Sequence, residues 1–339
     1  MKLAARLDLS SPSGVTHADG CCVSSHPFVI RLALILSLAI VGGPMLSAQE
    51  TQDNIEGEPE EHEHQVFVSE PDGSRMRILT QLPDGAFQGS SEWSGDGKRI
   101  AFDVKRPKLG ETTLAHAKIV VVNSDGTEPR LIGDGVMPTF SPKGNRIAYS
   151  RVGKGVWVFD LGQLNSQPEL IDLEGWGTAW SPDGSRIAYA KRGNLVVYDL
   201  IEGTKQMLFD NNNSPYRYIK WNFAWSSDAS KIAFQGLLND ETTTLSIVDA
   251  RGVEFGHAVR KVGEFEPAIC WRPDGNQILF VANCPERNNL RQIYSIDPNG
   301  TAPPQLLPQQ AANRSMLDVS FSPDGTKLAF SASKPKPKP

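Results

Sequence analysis

The chain has 339 residues, of which 39% are hydrophobic and 22% charged, with a formal net charge of −5. That balance excludes a disordered chain and supplies enough apolar material for a sizeable core. The acidic surplus argues against a phosphate-backbone partner, so no nucleic-acid ligand is expected.

Residues 32–41, LALILSLAIV, form an uninterrupted apolar run after Arg31, followed by Gly42, Gly43 and Pro44 and then small residues before Gln49. This is the layout of a secretory signal, and the run is too short to span a bilayer. Residues 1–48 are read as a signal peptide with an overlong n-region and a misassigned start. The mature protein is expected to be periplasmic or secreted from a bacterium, with no membrane span. Losing three basic and two acidic residues with this segment leaves the chain more acidic still. Residues 49–64 form a leader containing EGEPEEHEH, read as flexible, with His62 and His64 solvated rather than bound to a metal.

From residue 65 the pattern changes to strands. QVFVSEPDGSRMRILT, residues 65–80, reads as a strand, a turn rich in Asp and Gly, and a second strand. Six copies of another hairpin follow: EWSGDGKRIAFD (92–103), TFSPKGNRIAYS (139–150), AWSPDGSRIAYA (179–190), AWSSDASKIAFQ (224–235), CWRPDGNQILFV (270–281) and SFSPDGTKLAFS (320–331). In each, an aromatic residue ends one strand and a Ser-Pro-Asp-Gly turn reverses the chain. The return strand then places Ile or Leu and Phe or Tyr on one face, with Ala on the other. In the fourth copy Ala229 stands where glycine is expected, so that turn either relaxes or holds a positive φ at a cost of about 1 kcal/mol. In the fifth, a turn at Asp274 and Gly275 sets Cys270 opposite a residue near 279. That geometry disfavours a bridge to Cys284, the other cysteine beyond the signal.

Looser strand pairs of the 65–80 type separate the copies, at 118–132, 156–171, 195–209, 245–262 and 292–307. The turns lie 40 to 50 residues apart, the period of a propeller blade. One outer pair precedes the first inner hairpin and none follows the last, so the two chain ends must complete a blade together. The fold class is therefore all-β: a six-bladed β-propeller over residues 65–331, closed by N-terminal outer strands pairing with C-terminal inner strands. Residues 332–339 form a Lys/Pro tail.

This pattern of aromatic residue, SPDG turn, basic residue and IAF or IAY resembles the TolB-type propeller repeat. The resemblance spans about four fifths of the chain and implies a periplasmic propeller that binds envelope proteins, the peptidoglycan-associated lipoprotein among those of the family. The α/β domain that precedes the TolB propeller has no counterpart in the short leader.

Chemistry is harder to find. The G-x-S-x-G elbow of propeller-gated serine hydrolases is absent. A metal-dependent lyase needs several histidines at one mouth of the channel, and only His116, in a long loop, is suitably placed; His257 falls in an outer turn. Asp183, Asp274 and Asp324 are read as turn formers, and DNNNS (210–214) as a turn rather than a calcium loop. No catalytic residue, cofactor or metal is expected. The longest interblade loop is read as DNNNSPYRYIKWNF, residues 210–223, carrying Tyr216, Arg217, Tyr218, Lys220 and Trp221. Trp176, Arg151, Arg192 and Arg287 belong to the same mouth. Such residues anchor interfaces, although Tyr218 and Trp221 also suit packing between blades. The expectation is a monomeric, non-enzymatic scaffold whose basic, aromatic mouth binds an acidic protein or peptide in the cell envelope. The alternative is a polysaccharide-binding or metal-dependent polysaccharide lyase-type propeller.

Overall fold

Short hairpins with a repeated cap build every blade. The computed structural model describes residues 64–80, 87–105, 114–163, 166–209, 214–252, 257–261 and 265–333. The apolar run, the leader up to residue 63, most of DNNNS and the KPKPKP tail lie outside them. The chain opens with β1 (His64–Ser69) and β2 (Arg77–Ile78). Blade I follows as β3 (Phe87–Trp93), β4 (Arg99–Lys105), β5 (Lys118–Asn123) and β6 (Arg130–Asp134). Blade II is β7 (Val136–Phe140), β8 (Arg146–Arg151), β9 (Gly155–Asp160) and β10 (Glu169–Asp172). Blade III is β11 (Trp176–Trp180), β12 (Arg186–Lys191), β13 (Asn194–Asp199) and β14 (Lys205–Met207). Blade IV is β15 (Tyr216–Trp225), β16 (Lys231–Leu238), β17 (Thr243–Asp249) and β18 (His257–Lys261). Blade V is β19 (Phe265–Trp271), β20 (Ile278–Cys284), β21 (Leu290–Ile296) and β22 (Gln305–Leu306), and the chain ends with β23 (Ser320–Phe321) and β24 (Leu328–Ser333).

Each complete blade is an antiparallel meander in chain order. Blade VI has the order β23-β24-β1-β2, so both chain ends contribute. β24 runs antiparallel to β1 from Leu328 opposite Ser69 to Ser333 opposite His64. Around the ring β3 contacts β7, β7 contacts β11, β11 contacts β15, β15 contacts β19 and β19 contacts β23, while β23 and β24 contact β3.

The repeat explains the hairpins atom by atom. In blade III the Ser181 hydroxyl donates to Asp183, the Ser185 amide donates to Asp183 at 3.0 Å, and the Arg186 amide donates back to Ser181 Oγ at 2.9 Å. Blade VI repeats this with Ser322, Asp324, Thr326 and Lys327. The serine and aspartate thus satisfy amides that the tight turn leaves unpaired, and glycine takes the left-handed residue, with φ +81° at Gly184. Ala229 holds φ +58° rather than relaxing.

The return strands bury both faces, as blades stacked on both sides require. Ile187, Ala188 and Tyr189, like Ile232, Ala233 and Phe234, have no exposed surface. Each large side chain so buried contributes roughly 2 kcal/mol.

Two details differ from the sequence reading, and a third agrees with it. The sheet of blade VI begins at His64, which is buried and pairs with Ser333, so the leader ends one residue earlier and the propeller two residues later. Residues 216–223 are strand rather than loop: β15 is ten residues long, because β16 extends to Leu238 and gives Tyr216 a cross-strand partner. Cys270 pairs with Leu279, as the turn requires, and Cys270 and Cys284 are both free thiols.

Candidate functional site

Strand order sends the nine predicted contact residues to one end of the ring. The connections from the second to the third strand of each blade, and from each blade to the next, emerge there, whereas the SPDG turns emerge at the opposite end.

At the junction of blades III and IV most of them become neighbours. The turn between β12 and β13 carries Arg192, and its Gly193 carbonyl accepts the Ile219 amide at 2.8 Å. A Cβ on Gly193 would lie 3.0 Å from the Tyr218 ring, and one on Gly177 would collide with the Trp221 carbonyl at 2.0 Å. These glycines therefore let β11 and the β12–β13 turn press against β15. Trp176, Arg192 and the segment Tyr216–Trp221 form one edge as a result.

Their exposure divides them. Tyr216, Trp176 and Trp221 are buried, at 7%, 3% and 9% exposed. Tyr216 packs its ring on Phe209 and Phe234, so it is core and offers no contact surface. Trp176 keeps an indole N–H without an acceptor. Arg192 and Arg217 are exposed, paired with Glu174 and Glu241 respectively. Lys220 stands 5.8 Å from the Trp221 ring.

Arg151 lies one blade back. Its guanidinium donates to the Asp134 carbonyl at 3.1 Å and covers the Trp157 ring at 4.9 Å. Arg287 is separate from the others, bonded to Gln292 and to the Gln310 carbonyl in blade V and the loop after it.

Two acidic groups near this edge were not legible as site residues. Asp172, at the end of β10, accepts bonds from Tyr189 Oη at 3.0 Å, Lys191 Nζ at 3.0 Å and Lys205 Nζ at 3.0 Å, tying blade II to blade III. Burial alone would raise its pKa, but the Glu174 amide, both lysines and Tyr189 outweigh that and hold it at about 2. Glu174 reaches both Lys191 and Arg192, and those bonds hold its carboxyl below the usual range. Asp172 lies outside the repeat motif, so no spacing signals it.

The axial channel carries a second set. Glu92, Cys270 and Ser320 each precede the aromatic residue that ends an inner strand. Glu92 and Cys270 lie two blades apart, at corresponding positions of the first strand of their blades, and the Glu92 charge adds to the burial that raises the thiol. Glu92 and Asp318 are half-buried. Burial, reinforced by the Asp318 charge, pushes Glu92 up to about 8. Burial also raises Asp318, against four donors: the Ser90 amide at 2.6 Å, Ser91 Oγ at 2.7 Å, the Ser331 amide at 2.9 Å and Ser331 Oγ. Burial pushes the Cys270 thiol up as well. Among the described residues no three His, Cys, Asp or Glu side chains stand close enough together to hold a metal ion.

The chain is similar to the putative TolB from Agrobacterium tumefaciens, with a TM-score of 0.59 and 16% identity over 82% of this chain and 100% of that one. It is similar to TolB from Acinetobacter baumannii, with a TM-score of 0.57 and 14% identity over 81% of this chain and 65% of that chain. The fold is that of a TolB propeller. A chain of a mitotic checkpoint complex also matches, with a TM-score of 0.50 and 16% identity over 76% of this chain and 78% of that one. At such identities the likeness is one of fold alone. No family model and no curated protein matches.

Proposed function

We propose that this protein is an exported, monomeric, non-enzymatic propeller that binds an acidic protein or peptide of the cell envelope at the edge between blades III and IV. The observation that supports this most is the contiguous strip of Arg192, Tyr218, Arg217 and Lys220 standing on the Trp176 and Trp221 packing. Exposed ion pairs such as Arg192 with Glu174 and Arg217 with Glu241 are weak, because water screens both partners. A partner carboxylate therefore displaces the internal one at little cost, and the charge on this edge steers its approach. Export rests on the LALILSLAIV run; among the described residues no helix is long and apolar enough to cross a membrane.

The test is crosslinking in intact cells followed by mass spectrometry, comparing the natural protein with an Arg192→Ala, Arg217→Ala double variant. Both positions are exposed, so the melting temperature is expected to stay within about 1 °C while the leading crosslink is lost. A crosslink that survives the double variant removes this edge from consideration. The non-enzymatic reading has its own check: manganese-dependent turnover of a polyuronate by the purified protein would contradict it.

A further inference from the structure

The strand pair that closes blade VI has a register that the sequence on either side continues. His64 stands opposite Ser333 at the outer end of the ladder between β1 and β24. The next residues outward are Glu63 and Lys334, then His62 and Pro335, then Glu61 and Lys336. An uninterrupted register sets glutamate against lysine twice on one face, and opposite charges directly across an antiparallel pair stabilise it. The prolines fall where the pairing tolerates them. The Ser333 amide donates to the Ser315 carbonyl at 2.9 Å and the Ser333 carbonyl accepts Arg314 at 2.6 Å, so both peptide groups of Ser333 point away from β1. In a continued strand those of Lys334 and Lys336 point towards β1, and those of Pro335 and Pro337 away from it. The amide that proline lacks is therefore one that this pairing does not use, and a residue before proline is held extended.

The ring offers this segment a charged ledge. Odd-numbered residues of β1 face blade V: Phe67 packs with Leu279 and Val281, whereas Val66 and Val68 pack with Ile100 and Phe102 of blade I. Glu63 and Glu61 share the parity of Phe67. On that face the Arg314 guanidinium stands 5.1 Å from the Phe67 ring while it holds the Ser333 carbonyl. Arg314 is half-buried, and among the described residues no carboxylate pairs with it. Burial lowers its pKa, and no acidic neighbour offsets that. Arg291 lies beside it: its Nε donates to Ser315 Oγ at 3.2 Å, and the Ser315 amide donates to Ser333 Oγ at 2.9 Å.

We propose that this ledge is the docking surface of the chain's own acidic segment. Residues 61–63 continue β1 across it and pair with residues 334–336, Glu63 opposite Lys334 and Glu61 opposite Lys336, with both carboxylates on the Arg314 face. The half-buried guanidinium gains the counter-charge that the rest of the ring does not give it, and the two ends of the chain are clasped beyond the last pair of the ladder. The pairing stops there, because Pro59, opposite Lys338, lacks the amide that the next bonded pair needs. This surface belongs to the junction of blades V and VI. It is separate from the edge between blades III and IV, so the two readings stand or fall separately.

Residue-resolved amide exchange, measured by NMR on the full chain, is the test. The amides of Glu61, Glu63, Lys334 and Lys336 are expected to exchange roughly tenfold or more slowly than in free peptides of the same sequence, while that of His62, which points away from β24, keeps the peptide rate. A Glu61→Gln, Glu63→Gln double variant is expected to bring the two lysine amides back to within about threefold of the peptide rate. It is also expected to lower the melting temperature by roughly 1–3 °C at low salt and not at about 1 M salt, where the charges are screened. Arg314→Gln keeps a donor for the Ser333 carbonyl but loses the charge, and is expected to speed Glu63 exchange several-fold. Peptide-rate exchange at all four amides of the natural protein, slow exchange untouched in the double variant, His62 as slow as its neighbours, or Glu63 exchange unchanged in Arg314→Gln would each overturn the proposal.

Discussion

Glu92 shows how a single side chain on the axis sets a pH dependence. Its folded pKa of about 8 lies above the ordinary 4.5, because burial and then the Asp318 charge disfavour ionisation. Between those two values the folded state keeps a proton that the unfolded chain has lost, so this group's contribution to stability falls as pH rises from about 4.5 to 8. Glu92→Gln is expected to flatten that slope and to stabilise the protein at pH 7 by roughly 2 kcal/mol, a figure discounted from the full shift for water reaching the channel. Denaturant unfolding at a series of pH values measures it, and an unchanged slope would refute it. Asp172 has the opposite sign. With its folded pKa held at about 2 against the ordinary 3.8, its contribution is present above pH 4 and is lost as pH falls through 2. Asp172→Asn is expected to cost on the order of 1–2 kcal/mol at pH 7 and little at pH 2, in the same unfolding assay.

At the scale of strands and turns, Asp318 holds the junction where β3 meets the last blade. It accepts four bonds, from Ser90 and Ser91 of blade I and from Ser331 of blade VI. Asp318→Ala leaves those donors unpaired in a half-buried site and is expected to cost about 2–4 kcal/mol, whereas Asp318→Asn keeps one acceptor oxygen and costs less. Thermal unfolding of the two variants decides it, and equal melting temperatures would contradict this role. Elements of this kind also mark where the sequence becomes silent. The hairpins were legible because Ser181, Asp183 and Gly184 each answer a local backbone need, and the need recurs in every blade. β15 was not, because a run such as Tyr216-Arg217-Tyr218 lacks clean alternation. Its pairing with β16 shifts register between Tyr216 and Tyr218 and again between Ile219 and Phe223. Such bulges are fixed by the neighbouring blade, as the contact of Gly177 with Trp221 illustrates. For the same reason the exposure of the residues at this mouth was not legible: a strand beginning at Tyr216 turns that ring inward onto Phe234.

For the whole molecule, the ring is what gives both ends their surfaces. Blade order brings Arg192 and Arg217 to one end, and the joining of the chain ends completes blade VI. Closure was readable from the half-unit offset between inner and outer hairpins, while side-chain contacts between blades, such as Arg186 over Trp225, depend on the packed structure. The pairing of β1 with β24 underlies all of it, and the register sets Gln65 opposite Ala332. The most direct measurement is disulfide formation in a Gln65→Cys, Ala332→Cys variant under mild oxidation, mapped by mass spectrometry. Cys284 is buried and burial suppresses ionisation of Cys270, so the introduced pair is the reactive one. A ring closed in this register predicts a 65–332 bridge and a higher melting temperature. Two free introduced thiols, with unfolding unchanged by oxidant, would contradict it.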